Sequence, residues 1–208
     1  MEGERTTTAS DGKEPGVTVI TPTGDRRIAL DRCLYYVERQ THLPDQWIVV
    51  DDGQKKFAEK LKTNLPLQVI NRTHEKNSAK SFTGNLITAV NEVKHQNIII
   101  MEDDDWYHPS YIERTLQRLS EVQICGQPNA VYYNVRFKKY RVNRNSWRAS
   151  FCETAFKSNL LPKLKKLCYP RTSAFVDSRL WKHCVENKVP WRLYEDQRVF
   201  SVWEVNWI

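Results

Sequence analysis

At 208 residues, with 40% hydrophobic and 27% charged side chains, the chain has the size and composition of one globular domain and excludes a multidomain machine. Such a length buries roughly 70% of its unfolded surface, so folding requires neither disulfides nor a structural metal. The net charge of +7 is unevenly spread: residues 136–171 carry eleven Lys or Arg against the acid Glu153, a distribution that implies a polyanionic partner there.

Residues 1–16 lack periodicity and apolar content, so a disordered tail is expected, followed by one domain over 17–208. Val17-Thr18-Val19-Ile20 reads as a buried strand ended by Thr21-Pro22-Thr23-Gly24. Leu30, Leu34 and Val37 recur at helical spacing, which predicts a helix over 26–40 with Asp25 as its N-cap. The unit repeats: residues 46–50 (QWIVV) are a second strand broken by Asp51-Asp52-Gly53, and 57–63 a short helix. Residues 67–70 are a third strand. Phe82, Leu86, Ala89 and Val93 mark a helix face, and Ile98-Ile99-Ile100-Met101 is a fourth strand without alternation, the pattern of a strand buried on both faces. Ser110 and Glu113 have capping-box spacing, opening a helix to about Gln123 with Ile112, Leu116 and Leu119 inward. Alternating strands and helices predict an α/β fold with a mostly parallel sheet flanked by helices.

The later half is more irregular. Residues 131–142 read as one long strand with Val131, Tyr133, Val135 and Phe137 on a face, turned back at Asn143-Arg144-Asn145. A basic helix over 157–167, a strand over 173–176 and helices over 179–186 and 193–202 complete the expected order. No apolar run approaches the length of a membrane span, and the N-terminus lacks the apolar core of a signal peptide. Five scattered cysteines without a Cys-x-x-Cys pair suit a reducing compartment, so a cytoplasmic protein is expected.

Open parallel sheets bind ligands beyond the C-terminal ends of their strands, and polar clusters fall at three such points. These are Thr21-Pro22-Thr23, Asp51-Asp52-Gly53 and Glu102-Asp103-Asp104-Asp105. A solvated acidic loop is the ordinary reading of the last run. The buried strand before it and the other two clusters favour a site instead. Four adjacent carboxylates repel unless a cation lies among them, and all-oxygen ligands point to Mg²⁺ or Mn²⁺, ions that commonly also bind substrate phosphates. His183-Cys184 lacks zinc-ligand partners and is read as packing, as are most of the late tryptophans, although ring stacking on sugars or bases is an alternative for the latter.

ITPTGDRR, QTHLPDQWIVVDDG and IIIMEDDDWYHPSYIE resemble, in order, the nucleotide-sugar half of GT-A glycosyltransferases, particularly the large family 2, over residues 17–120. The resemblance implies a Rossmann-like GT-A domain with a nucleotide-sugar half at 17–125 and a smaller acceptor half at 126–208. It implies a donor, usually a UDP-sugar, contacting Thr21, Pro22, Thr23, Asp51 and Asp52, with Arg26 near phosphate and a cation such as Lys80 or Lys76 assisting. The family's Asp-x-Asp element fits Glu102/Asp104 or Asp103/Asp105; Asp104 and Asp105 are taken as metal ligands, Glu102 and Asp103 as donor contacts. It also implies that Tyr194-Glu195-Asp196 supplies the late Glu-Asp pair, with Asp196 as the base that deprotonates the acceptor in an inverting displacement. An ion pair of Asp196 with Arg192 or Arg198 is the ordinary alternative. The chain departs from the family in having no His after position 183, so His183 or water takes the late metal position, and in reading Thr-Gly-Asp-Arg in the first loop.

No acceptor motif is present. Lys138, Lys139, Arg141, Arg144, Trp147 and Arg148 interleave cations with aromatics, a surface suited to phosphates and stacked bases. Together with a likeness to soluble phage enzymes that glycosylate hydroxymethylated pyrimidines, this suggests DNA as acceptor, with a phage-encoded enzyme acting in the host cytoplasm. A saccharide or lipid-linked acceptor, a non-catalytic nucleic-acid-binding module and a nucleotidyltransferase are the alternatives.

Overall fold

The computed structural model describes residues 12–134, 137–195 and 199–203. In chain order the elements are β1 (Glu14–Thr23), α1 (Arg27–Glu38), β2 (Gln46–Asp51), β3 (Leu67–Asn71), α2 (Ser78–Glu92) and β4 (His95–Ile100). Then follow β5 (Asp105–Tyr107), α3 (Tyr111–Leu119), β6 (Ile124–Gly126), β7 (Asn129–Asn134), β8 (Lys139–Arg144), β9 (Thr154–Lys157), α4 (Leu161–Leu167), α5 (Val176–Glu186), β10 (Trp191–Leu193) and β11 (Val199–Trp203). A seven-stranded sheet has the order β10-β6-β9-β4-β1-β2-β3. All its pairings are parallel except those that β9 makes with β4 and β6. The predicted α/β fold, a mostly parallel sheet flanked by helices, is therefore present.

Period-two alternation explains why the first four strands read as continuous apolar runs. Ile48, Val50, Ile98 and Ile100 point to one face and meet α2, α4 and α5 through Leu86, Ala89, Leu164, Leu180 and Trp181. Trp47, Val49, Ile99 and Met101 point to the other and meet α1 and α3 through Leu30, Cys33, Val37, Tyr111 and Ile112. Full burial of each such aliphatic side chain contributes about 1.5–3 kcal/mol.

Several local expectations are corrected. β1 begins at Glu14, inside the segment read as tail. Asp25 does not cap α1: it is left-handed at φ 44°, and its carboxylate accepts the N–H groups of Gln54 and Lys55. Ser110 makes no side-chain cap on α3; the Ile112 N–H is taken by Gln40 Oε1 at 3.0 Å, and Glu113 accepts from Thr41 instead. The long strand of 131–142 is a hairpin, β7 against β8, with Asn134 paired to Lys139, so the chain turns there and not at 143–145. A second sheet has the order β5-β11-β7-β8. Residues 173–176 form no strand, and the stretch read as a helix over 193–202 contributes strand residues from β10 and β11.

Candidate donor-binding site

A cavity of about 580 Å³ opens at the C-terminal ends of β1, β2 and β4, lined by Pro22, Thr23, Arg26, Asp52, Glu102, Asp104 and Asp105 among others. Thr21 and Asp51 do not face it. Thr21 points into the core, where its Oγ1 accepts the Trp47 indole N–H at 3.0 Å. Asp51 fastens the following turn: Oδ1 accepts Gly53 N–H at 2.7 Å and Oδ2 accepts Ala58 N–H at 3.0 Å. Gly53 is required there, because a Cβ would collide with the Asp25 backbone nitrogen. Asp52 does face the cavity. Its Oδ1 accepts from Asn85 Nδ2 at 3.3 Å, while its buried Oδ2 has no hydrogen-bond partner.

The four acids after β4 separate into two groups. Glu102, Asp104 and Asp105 each offer an oxygen within 4.8 Å of the others, a grouping that contains both members of the Glu102/Asp104 pair and only Asp105 of the Asp103/Asp105 pair. Asp103 turns away to accept from Thr23 Oγ1 at 2.6 Å and to pair with Arg26 Nη2 at 2.6 Å. Arg26 Nη1 reaches Asp104 Oδ2 at 2.8 Å. Desolvation and the neighbouring Asp105 and Asp104 push the Glu102 carboxyl well above its ordinary range. Burial raises Asp103 to about 7 against the opposing pull of Arg26. Glu153, immediately before β9, is lifted to about 8 by burial and by Asp105. Three hard oxygen donors converging on one point are a chemically apt seat for a divalent cation.

Other lining residues, Glu75 and Asn85 among them, escaped the sequence reading. Behind them Arg72 donates to Asn85 Oδ1 at 2.7 Å and to Glu75 at 2.7 Å, and Arg171 joins the same Glu75 carboxylate. Asn85 also donates to the Thr23 carbonyl at 3.1 Å, tying β1, Asp52 and α2 together. Tyr132, Ser150, Phe151, Phe175 and Asp177 also line the cavity, with Asp177 3.5 Å from Arg148 Nη1. Arg72 sits just past the end of β3, a position that signals it; Asn85 and Asp177 look like ordinary helical polar residues.

Lys80 is exposed and does not line the cavity. His183, on the last turn of α5, is hydrogen-bonded to Asn187 and is also away from it. Glu195 is exposed, and Asp196 lies outside the described residues. Lys138, Lys139, Arg141 and Arg144 are exposed on and beside the β7–β8 hairpin. Trp147 is 39% exposed, with Arg148 beside its ring at 5.9 Å. The basic residues of 136–171 do not gather on one element: Lys163, Lys165 and Lys166 are on α4, and Lys157 on β9 donates to Asn97.

Residues 18–183 match the pattern of glycosyl transferase family 2. The chain belongs to that family. An uncharacterized glycosyltransferase of Bacillus subtilis, YwdF, is 30% identical over 105 residues, which are 50% of this chain and 38% of YwdF. Among solved structures, the mannosyltransferase PcManGT of Pyrobaculum calidifontis, in complex with GDP-Man and Mn²⁺, superposes with a TM-score of 0.68 at 18% identity, covering 93% of this chain and 58% of that one. TarS 1-349 of S. aureus, in complex with UDP-GlcNAc, gives 0.67 at 14% identity, covering 91% and 59%. This family 2 chain thus spans less than two thirds of each of these relatives. Among its described residues no helix is long and apolar enough to cross a membrane.

Proposed function

We propose that this chain is a metal-dependent, inverting glycosyltransferase that moves a sugar from a UDP-sugar to a hydroxyl acceptor, the 5-hydroxymethyl group of a modified pyrimidine in DNA. The observation that carries the donor half is the carboxylate trio on the wall of a cavity that Asp52 also lines. Glu102, Asp104 and Asp105 would hold Mn²⁺ or Mg²⁺, and the ion supplies charge neutralisation on the departing diphosphate. The Asp52 carboxylate is an acceptor for a ribose hydroxyl or base N–H, kept in place by Asn85. Phe82 and Phe151, with ring centroids 6.0 Å apart, form an apolar wall that limits water beside the donor. Asp196, with Glu195 beside it, is the proposed base that takes the acceptor proton. The complexes of the two structural neighbours with GDP-Man and UDP-GlcNAc support a nucleotide-sugar donor.

The acceptor half rests on the β7–β8 hairpin and the segment after it, where exposed Lys138, Lys139, Arg141 and Arg144 alternate with Tyr133, Phe137, Tyr140 and Trp147. Cations there neutralise phosphates and the rings offer stacking partners to a base turned out of the helix. A cytoplasmic setting, phage-encoded in a host cell, belongs to this reading. The test is mass spectrometry of nucleosides after incubating the protein and Mn²⁺ with a panel of UDP-sugars and DNA containing 5-hydroxymethylcytosine, 5-hydroxymethyluracil or neither. A hexose confined to a hydroxymethylated base is the expected result. Metal-dependent UDP release without transfer to DNA would remove the acceptor half and leave the donor half standing.

A further inference from the structure

Two of the acids after β4 already hold a cation belonging to the protein. The Arg26 guanidinium is forked between them, Nη2 at 2.6 Å from Asp103 Oδ1 and Nη1 at 2.8 Å from Asp104 Oδ2. Its backbone is fixed on both sides, by the left-handed Asp25, whose carboxylate is tied to Gln54 and Lys55, and by the start of α1. Asp104 is at the same time one of the three carboxylates that converge within 4.8 Å. A guanidinium and a divalent ion on one carboxylate repel each other.

We propose that Arg26 is the resident counter-cation of the acid cluster, which occupies Asp104 until a divalent ion displaces it, so that the ion binds weakly alone and tightly only together with a nucleoside diphosphate. The proposal rests on the nucleotide-sugar reading above. Only half of the fork has to open. Asp103 is buried and held by Thr23, so Nη2 keeps its partner while Nη1 leaves Asp104 and becomes available to a phosphate oxygen. Charge is balanced throughout: the ion brings the positive charge that Asp104 loses, and the diphosphate offsets the guanidinium that the ion has displaced.

The test is titration with Mn²⁺, free ion being read by electron paramagnetic resonance, on wild type, R26Q and R26K, each with and without UDP. R26Q should bind Mn²⁺ alone about tenfold tighter or more, because a full charge has left the cluster. The factor by which UDP and Mn²⁺ strengthen one another should shrink correspondingly. R26K, which keeps the charge, should stay within about threefold of wild type on the same electrostatic grounds. R26Q binding Mn²⁺ alone no tighter than wild type overturns the proposal. A second readout needs no substitution: saturating Mg²⁺ must shift the Arg26 Nε–H resonance of the wild-type chain, and an unmoved signal overturns the proposal as well. Wild type that takes up no UDP, with or without Mn²⁺, would instead refute the nucleotide-sugar reading, while the metal-only comparison still decides the role of Arg26; UDP uptake that is equal with and without Mn²⁺ overturns the proposal, because the coupling it requires is then missing.

Discussion

Asp51 and Asp52 are adjacent acids that the sequence does not distinguish, and the structure assigns them opposite consequences. In Asp51→Asn the amide oxygen can keep one of two bonds, to Gly53 N–H at 2.7 Å or Ala58 N–H at 3.0 Å. The other N–H then faces an NH₂ group at a site where Asp51 is 1% exposed. Hydrogen bonds to a charged group contribute about 1.5–3 kcal/mol, and a buried unpaired donor costs about 1–3 kcal/mol, so a loss of roughly 3 kcal/mol is expected. For a chain of this size that lowers Tm by roughly 6–12 °C. Asp52→Asn replaces an oxygen that has no partner in the protein, so its stability should stay within about 1 kcal/mol of wild type. Its UDP affinity in Mn²⁺ should fall about tenfold, the worth of one charge-assisted bond. Urea denaturation and calorimetry of UDP binding on both variants decide the matter. A stable Asp51→Asn variant, or an Asp52→Asn variant that unfolds early yet binds UDP normally, would refute this assignment of the two acids.

Gly126→Ala should destabilise by about 1–3 kcal/mol without altering UDP affinity in what remains folded. Its Cβ would lie 2.5 Å from Ala149 Cβ, 2.9 Å from the Glu153 carbonyl and 3.0 Å from the Trp181 ring, all rigid neighbours. Glu153→Gln tests the raised carboxyl. Because the folded value of about 8 exceeds the ordinary 4.5, the contribution of Glu153 to stability is fully present below 4.5 and is lost as pH rises through 8. The urea midpoint of metal-free Glu153→Gln should therefore gain on wild type between pH 5 and 8, and a constant gap would contradict the burial argument. Replacing Lys138 and Lys139 together by Ala should lower the slope of log K against log salt for DNA binding by about 1–2, measured by fluorescence anisotropy, with UDP binding unchanged.

The central strands were legible because they are buried on both faces, so β-branched runs such as Trp47–Val50 and Ile98–Met101 carry the signal without tertiary knowledge. The hairpin was misplaced for a local reason. Its turn uses Asn134, whose side chain accepts the Phe137 N–H at 2.9 Å, and a left-handed Lys138 at φ 50°. Asn143-Arg144-Asn145 has the more familiar turn composition, and apolar residues alternate straight through the true one. β10 and β11 were unreadable because their pairings are remote, Trp191 with Ile124 and Ser201 with Tyr132. The acids at strand ends were visible for the same reason as the strands. Asn85 and Asp177 were not, since whether a polar side chain on a helix meets a ligand or solvent depends on packing against the sheet, which no local pattern encodes.

Ser201 of β11 is paired with Asp105 on one side and with Tyr132 on the other. A single backbone rung thus joins the strand that follows the acid cluster to the hairpin that carries the cations. Side chains can be exchanged along that rung without breaking it, but a slip of one residue in β11 would invert the facing of every residue it aligns. The spacing between the acid cluster and the hairpin is accordingly gauged by main-chain register, and insertions near β11 should disturb it more than substitutions within the strand.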